Sequence, residues 1–169
     1  MDLVIAIEGC TNSNYSHCGV VIKENGEYVV IESLGMVKIT PLRDFLAQSR
    51  DEYYDVFRLK KKYQTQEILT KYRDNLKSYL FSPYDSRYRM DDLYIYCSEL
   101  PYKAFLKTTG EKMGKLQSLG TMNWKPYEET IKKYENGPVP HERLMISPIN
   151  LSKASQLIKV YSSSNTTKP

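Results

Sequence analysis

The stretch Tyr96-Cys97-Ser98-Glu99-Leu100 puts a thiol where an extended run gives way to a helical one, and a histidine lies far upstream in Tyr15-Ser16-His17-Cys18-Gly19-Val20. A thiolate at a helix N-terminus is stabilised by the positive end of the backbone dipole and by unpaired N–H groups. The same N–H groups can hold an oxyanion. A cysteine so placed, with a histidine to carry the proton, is the minimal equipment for nucleophilic acyl chemistry.

A third residue follows from strand register. Ser16 to Lys23 and Tyr28 to Ser33 are rich in β-branched residues and flank Glu24-Asn25-Gly26-Glu27. Asn-Gly between two such runs signals a two-residue hairpin turn. Glu24 then pairs with Glu27, Gly19 faces Glu32 and His17 faces Leu34. Glu32 is the diagonal neighbour of His17 on the same face, about 7–8 Å away at the backbone and within side-chain reach. A carboxylate there fixes the imidazole tautomer and supports its charged form. Glu32 follows Val29-Val30-Ile31, where a buried carboxylate is costly without a partner.

Each residue also has an ordinary reading. Buried cysteines often serve as small hydrophobes, and a sheet histidine can be merely satisfied. Cys18 points, by strand alternation, to the face opposite His17 and reads as core. Cys10 is the rival nucleophile, in a loop where no helix begins. His141 is the rival base, in a proline-rich loop and expected to be exposed.

The elements that must position these residues are read from periodicity. Leu3 to Ile7 is a continuous apolar run and reads as a buried strand, followed by a polar turn from Glu8 to Asn14. Beyond the hairpin come a short strand over Met36 to Ile39, a short helix opened by Pro41, and a strand over Tyr54 to Leu59. Gln64 to Phe81 is a long amphipathic helix. Ser98 to Lys107 is a helix with Pro101 in its first turn. Gly110 to Gly120 is irregular, and Trp124 to Tyr134 is a further helix. Leu144 to Ile146 and Leu157 to Tyr161 are closing strands, and Ser162 to Pro169 is a frayed tail. The expected fold is α+β, an antiparallel sheet or small barrel packed against helices, as a single domain over residues 1–161.

Bulk properties narrow the function. Of the 169 residues 41% are hydrophobic and 26% charged, which supports a packed core. The net charge is only +4, and the 15 tyrosines are dispersed rather than grouped on a basic face, so no nucleic-acid partner is expected. Three cysteines with no C-x-x-C pair and two histidines give no disulfide framework and no zinc set, and no cofactor is expected. No apolar run is long enough for an integral membrane segment. Met1-Asp2 leads straight into the apolar run with no signal peptide, so a natural start and a mature exported form (periplasmic or cell-envelope) both fit and the compartment stays open.

The ordered set of motifs resembles the circularly permuted papain-like hydrolases of the NlpC superfamily, most closely the YiiX-like amidase branch. The matching pieces are Asp2-Leu3-Val4, Tyr15 to Val21, Val30-Ile31-Glu32-Ser33, Pro41 to Leu46, Pro83-Tyr84-Asp85 and Tyr96 to Leu100, with a weaker match at Ile146 to Leu151. The resemblance implies Cys97 as nucleophile, His17 as general base and acid, Glu32 as the orienting acid, and Tyr84 as a substrate-pocket or oxyanion residue. Two departures stand out: Met1-Asp2 replaces the usual Gly-Asp opening, and Cys18 stands where valine is common.

The implied function is a cysteine hydrolase cleaving a peptide or amino-acyl amide through a thioester. The rival enzyme is a lipid acylhydrolase or acyltransferase, which needs an apolar groove. Met113, Leu116, Leu119 and Met122 are candidates to line one. A non-catalytic binding module is the third reading, and it has no need of all three triad residues.

Overall fold

In a computed structural model, which describes residues 2–50 and 53–163, helices surround three small antiparallel sheets. The element order is α1 (Asp2–Thr11), β1 (Gly19–Glu24), β2 (Glu27–Leu34), β3 (Met36–Pro41), α2 (Leu42–Leu46), β4 (Asp55–Leu59), α3 (Gln66–Lys77), α4 (Glu99–Thr109), β5 (Gln117–Ser118), α5 (Glu128–Glu135), β6 (Leu144–Met145), α6 (Pro148–Ser152) and β7 (Leu157–Ser162). The sheets are β1-β2-β3, β4-β7 and β5-β6.

The first hairpin follows its turn chemistry. Asn25 and Gly26 both have positive φ, 50° and 89°, as a turn matched to strand twist requires. Glu24 pairs with Glu27 and Gly19 with Glu32, the register expected from Asn-Gly. In the second pairing Glu32 faces Lys38 and Val30 faces Thr40. Thr40 is therefore the diagonal neighbour of Glu32 on the other side of β2.

Cys97 sits just ahead of α4. Helical bonding starts where the Leu100 N–H donates to the Tyr96 carbonyl (3.2 Å). The Glu99 carboxylate reaches back to accept the Tyr96 N–H (3.1 Å), occupying a donor that the helix start leaves unpaired. Gly110, at φ 76°, closes the helix by donating to the Leu106 carbonyl. The inner face of α4 buries Leu100, Ala104 and Phe105 completely, and the Phe105 ring meets Tyr63 and Tyr72 edge-on at 5.2 and 5.9 Å. Burying an aromatic ring of this size stabilises by about 1.5–3 kcal/mol.

Three expectations are overturned. Leu3 to Ile7 is helical, not a strand, and α1 runs on through Cys10, so Cys10 is not in a loop. A short apolar run does not distinguish a strand from a buried helix. Here α1 lies against α5 and the short helical turn Lys125–Tyr127. At Gly9 an added Cβ would lie 1.8 Å from the Tyr127 hydroxyl, so only glycine admits that approach. At the other end, β7 extends through Ser162, and Ser163 donates its N–H to the Tyr54 carbonyl (3.0 Å), so the expected tail does not begin at 162. The rest of that tail, 164–169, lies outside the described residues.

Candidate active site

One side-chain tie and one backbone tie hold the segment before Cys97 against the first sheet and the Pro83 strand segment beside it. Ser33 Oγ donates to the Ile95 carbonyl (2.5 Å), and the Ile95 N–H donates to the Pro83 carbonyl (2.9 Å). Pro83 bridges to Met36, and the Tyr84 N–H donates to the Gly35 carbonyl (3.0 Å). Glu32, Tyr84 and Cys97 are thereby held in one frame. Ser98 Oγ donates to the Ile146 carbonyl (2.8 Å), which fixes the first turn of α4 from the other side.

Within that frame His17 Nε2 stands 2.6 Å from Glu32 Oε2. The Cys97 sulfur lies beside the imidazole, with its Sγ 4.0 Å from the Ser16 carbonyl oxygen. With Nε2 engaged by the carboxylate, Nδ1 is the nitrogen left for the sulfur. Phe45 of α2 packs on the ring at a centroid distance of 5.7 Å. Glu32 is fully buried, and its second oxygen accepts from Thr40 Oγ1 (2.5 Å) and Gln48 Nε2 (3.4 Å). A buried carboxylate is stable only when satisfied in this way.

The electrostatics follow from these bonds. Burial pushes the His17 pKa down, but hydrogen bonds to Cys97 and Glu32 outweigh it and lift the imidazole to about 9. Burial pushes the Glu32 pKa up, and bonds from His17 and Thr40 carry the net shift below the usual carboxylate value. Cys97 titrates well below an ordinary thiol. The leading cause is a hydrogen bond from Cys18; burial opposes it, and the bond and charge of His17 add to it. Cys18 is shifted well above the ordinary value by the same bond to Cys97 and by burial, so it remains a thiol and donates. Both shifts favour a thiolate on Cys97 beside an imidazolium on His17.

The structure thus brings Cys97, His17 and Glu32 together, and it brings Tyr84 to them. The Tyr84 hydroxyl lies beside Cys97 and 3.1 Å from that of Tyr88. Burial first, and then the charge of Cys97, keep both phenols protonated. Asp85, itself buried, shapes the loop that carries them by accepting the N–H groups of Arg87 (2.9 Å) and Arg89 (2.8 Å).

Cys18 packs against the main core, as read, and its thiol also lies beside Cys97. The ladder begins at Gly19, so strand alternation does not extend to residues 17 and 18, and Cys97 is an electrostatic neighbour of both. Cys10 is buried and its thiol is pushed up to about 11 by desolvation, which makes it a poor nucleophile at neutral pH. His141 is exposed and rests against Trp124 (4.5 Å). Thr40 and Gln48 escaped the sequence reading. Thr40 was available by the register argument that found His17, applied to the second hairpin; Gln48 depends on how α2 turns the chain. Of the residues considered for an apolar groove, Leu119 and Met122 line a cavity beside Cys97, while Met113 and Leu116 belong to the main core.

Residues 2–161 match the family of permuted papain-like amidase enzymes, YaeF/YiiX or C92. The chain belongs to this family. It is a cysteine-dependent hydrolase of the amidase type with the permuted papain-like fold. It is 29% identical over 157 residues to the uncharacterized protein YiiX of Escherichia coli strain K12, covering 92% of this chain and 77% of that one. It also superposes on a solved structure described as metalloprotein yiiX from Escherichia coli O157:H7, with a TM-score of 0.88 and 31% identity over 94% of this chain and 88% of the other. Among the described residues of the present chain, no group of three or more His, Cys, Asp or Glu side chains is arranged so that it could hold a metal ion. No described helix is long and apolar enough to cross a membrane.

Proposed function

We propose that this chain, as one hydrolase domain over residues 1–161, cleaves amide bonds through Cys97, His17 and Glu32. The observation that carries the reading is the grouping of Cys97 beside His17, with His17 bonded to Glu32 and the carboxylate in turn held by Thr40. The Cys97 thiolate attacks the carbonyl carbon, forming a C–S bond and a tetrahedral oxyanion. N–H groups of the first turn of α4 and the Tyr84 hydroxyl are the donors available to it. As the intermediate collapses, the C–N bond breaks and His17 gives its proton to the departing amine. Water, deprotonated by His17, then attacks the thioester, and the acid leaves with Cys97 restored. Glu32 is a positioning residue that holds the imidazole tautomer and its charge.

Trapping tests this reading. A chromogenic acyl anilide incubated with the protein should leave an acyl adduct on Cys97, detected by mass spectrometry of the quenched enzyme. Cys97→Ala should fold normally by circular dichroism and lose all turnover. Undiminished turnover in that variant would refute the assignment.

A further inference from the structure

Tyr88 has a backbone conformation that a bulky residue rarely takes. Its φ is 55°, in the left-handed region that Asn12, Asn25 and Asn136 enter at little cost and a tyrosine does not. Such a conformation persists only where its surroundings over-determine it, and it marks a place where position matters. Here the surroundings are Asp85. Its buried carboxylate accepts the N–H groups of Arg87 and Arg89, one on each side of Tyr88, and its carbonyl accepts the Tyr88 N–H (3.3 Å).

The phenol is what this loop holds in place. The Tyr88 ring stands edge-on to Tyr84 (6.3 Å between centroids) and tilted against Tyr96 (5.0 Å). Tyr96 is fixed in turn, its hydroxyl accepting the Ile146 N–H (3.0 Å) and donating to the Met90 sulfur (3.1 Å). Tyr88 and Cys97 line one cavity. A phenylalanine would make the same ring contacts, and a buried hydroxyl costs free energy without a partner. The partner is the Tyr84 hydroxyl, 3.1 Å away, which itself lies beside Cys97.

A phenol has a single proton to donate. If Tyr84 gave its own to Tyr88, none would remain for the oxyanion. With the bond in the other sense Tyr88 donates, Tyr84 accepts, and the Tyr84 proton is free on the side of the sulfur. Negative charge decides between the two. It rests on Cys97 before attack and on the carbonyl oxygen after it, and in both states it draws the Tyr84 proton toward the site. A hydroxyl that accepts a hydrogen bond also donates a stronger one. Burial keeps both phenols protonated, so both have a proton to give.

We propose that Tyr88 is a positioning residue for the hydrolysis, its hydroxyl donating to that of Tyr84 and so aiming the Tyr84 proton at the oxyanion. The proposal rests on the Cys97–His17 reading above and adds to it a second tyrosine that acts only through the first. Tyr88 itself makes no bond to the reacting atoms.

The test is steady-state kinetics of the full chain on a chromogenic acyl anilide, with Tyr84→Phe, Tyr88→Phe and the double variant, each checked for folding by circular dichroism. Tyr88→Phe keeps the ring and removes the donor. Expected is a kcat lower by about two- to tenfold with KM unchanged. Tyr84→Phe should lose on the order of a hundredfold. In the Tyr84→Phe background, adding Tyr88→Phe should cost nothing further. Alkylation of Cys97 by iodoacetamide forms no oxyanion, so its rate in Tyr88→Phe should stay at the parent level. An equal loss from Tyr88→Phe in both backgrounds, a kcat unmoved by it, or a parallel fall in alkylation would overturn the proposal while leaving the hydrolase standing. Full activity in Tyr84→Phe would do the same. A parent protein with neither turnover nor acylation of Cys97 would remove the hydrolase reading, and this proposal with it.

Discussion

The thiol of Cys18 lies beside Cys97, and its interaction with that sulfur is the leading reason that Cys97 titrates low. In the wider set that this chain resembles, the position is commonly valine, which cannot donate. Replacing Cys18 with valine should therefore shift the acid limb of the pH–rate profile to higher pH, with the alkaline limb less affected. A profile unchanged at both limbs would mean that the interaction does not tune the nucleophile.

The ion pair predicts a window rather than a single threshold. Thiolate and imidazolium coexist above the depressed pKa of Cys97 and below that of His17, about 9. Alkylation of Cys97 by iodoacetamide should be fast well below pH 7, and in His17→Ala it should revert to the profile of an ordinary thiol. Slow labelling below pH 7 in the parent protein would contradict the pair.

Glu32→Gln separates positioning from folding. Glutamine still accepts from Thr40 but removes the negative charge that sustains the imidazolium. The alkaline limb should move to lower pH, and kcat/KM should fall on the order of a hundredfold. Glu32→Asp, which restores the charge on a shorter arm, should recover part of both. Loss of activity with an unmoved alkaline limb would point to a purely structural carboxylate.

A fourth prediction concerns stability. Burial is the main cause lifting Glu99 to about 7 from 4.5, opposed in part by Lys103 at 2.8 Å. The folded state thus binds the proton more tightly than the unfolded chain. That contribution is complete below about pH 4.5 and fades as pH rises through about 7, a loss on the order of 3 kcal/mol at most. Glu99→Gln should flatten this decline, seen as a smaller drop in urea midpoint between pH 5 and pH 8. An equal drop in both proteins would assign the dependence to other groups.

The parts of the fold that could be read from the sequence were those governed by local chemistry. Asn25-Gly26 set the hairpin, and the hairpin register placed Glu32 near His17. Thr65 at the start of α3 accepts the Ile68 N–H as a helix cap should, and Pro101 is tolerated in the first turn of α4. The unread parts depend on contacts between distant segments. The apolar run of α1 carries no period that separates strand from helix, and only its seat against α5 and Tyr127 decides. Cys18 packs against the core as read, but its nearness to Cys97 was hidden because strand alternation was extended beyond the start of the ladder at Gly19. The cavity was invisible for a related reason: its walls come from α1, the 119–122 segment, α5 and Ile146, and no local pattern announces their convergence.

The tie between Ser33 Oγ and the Ile95 carbonyl has a consequence for the newly made chain. His17 and Glu32 leave the ribosome long before Cys97, and until that clasp and the neighbouring backbone ties close, the sulfur is not held beside the imidazole. A nascent or unfolded chain therefore carries an unremarkable thiol near its free titration value. Nucleophilic power appears only once the ends of the site have met, so the protein arms itself last. The rate at which Cys97 becomes reactive during refolding is then a clock for assembly of the whole molecule.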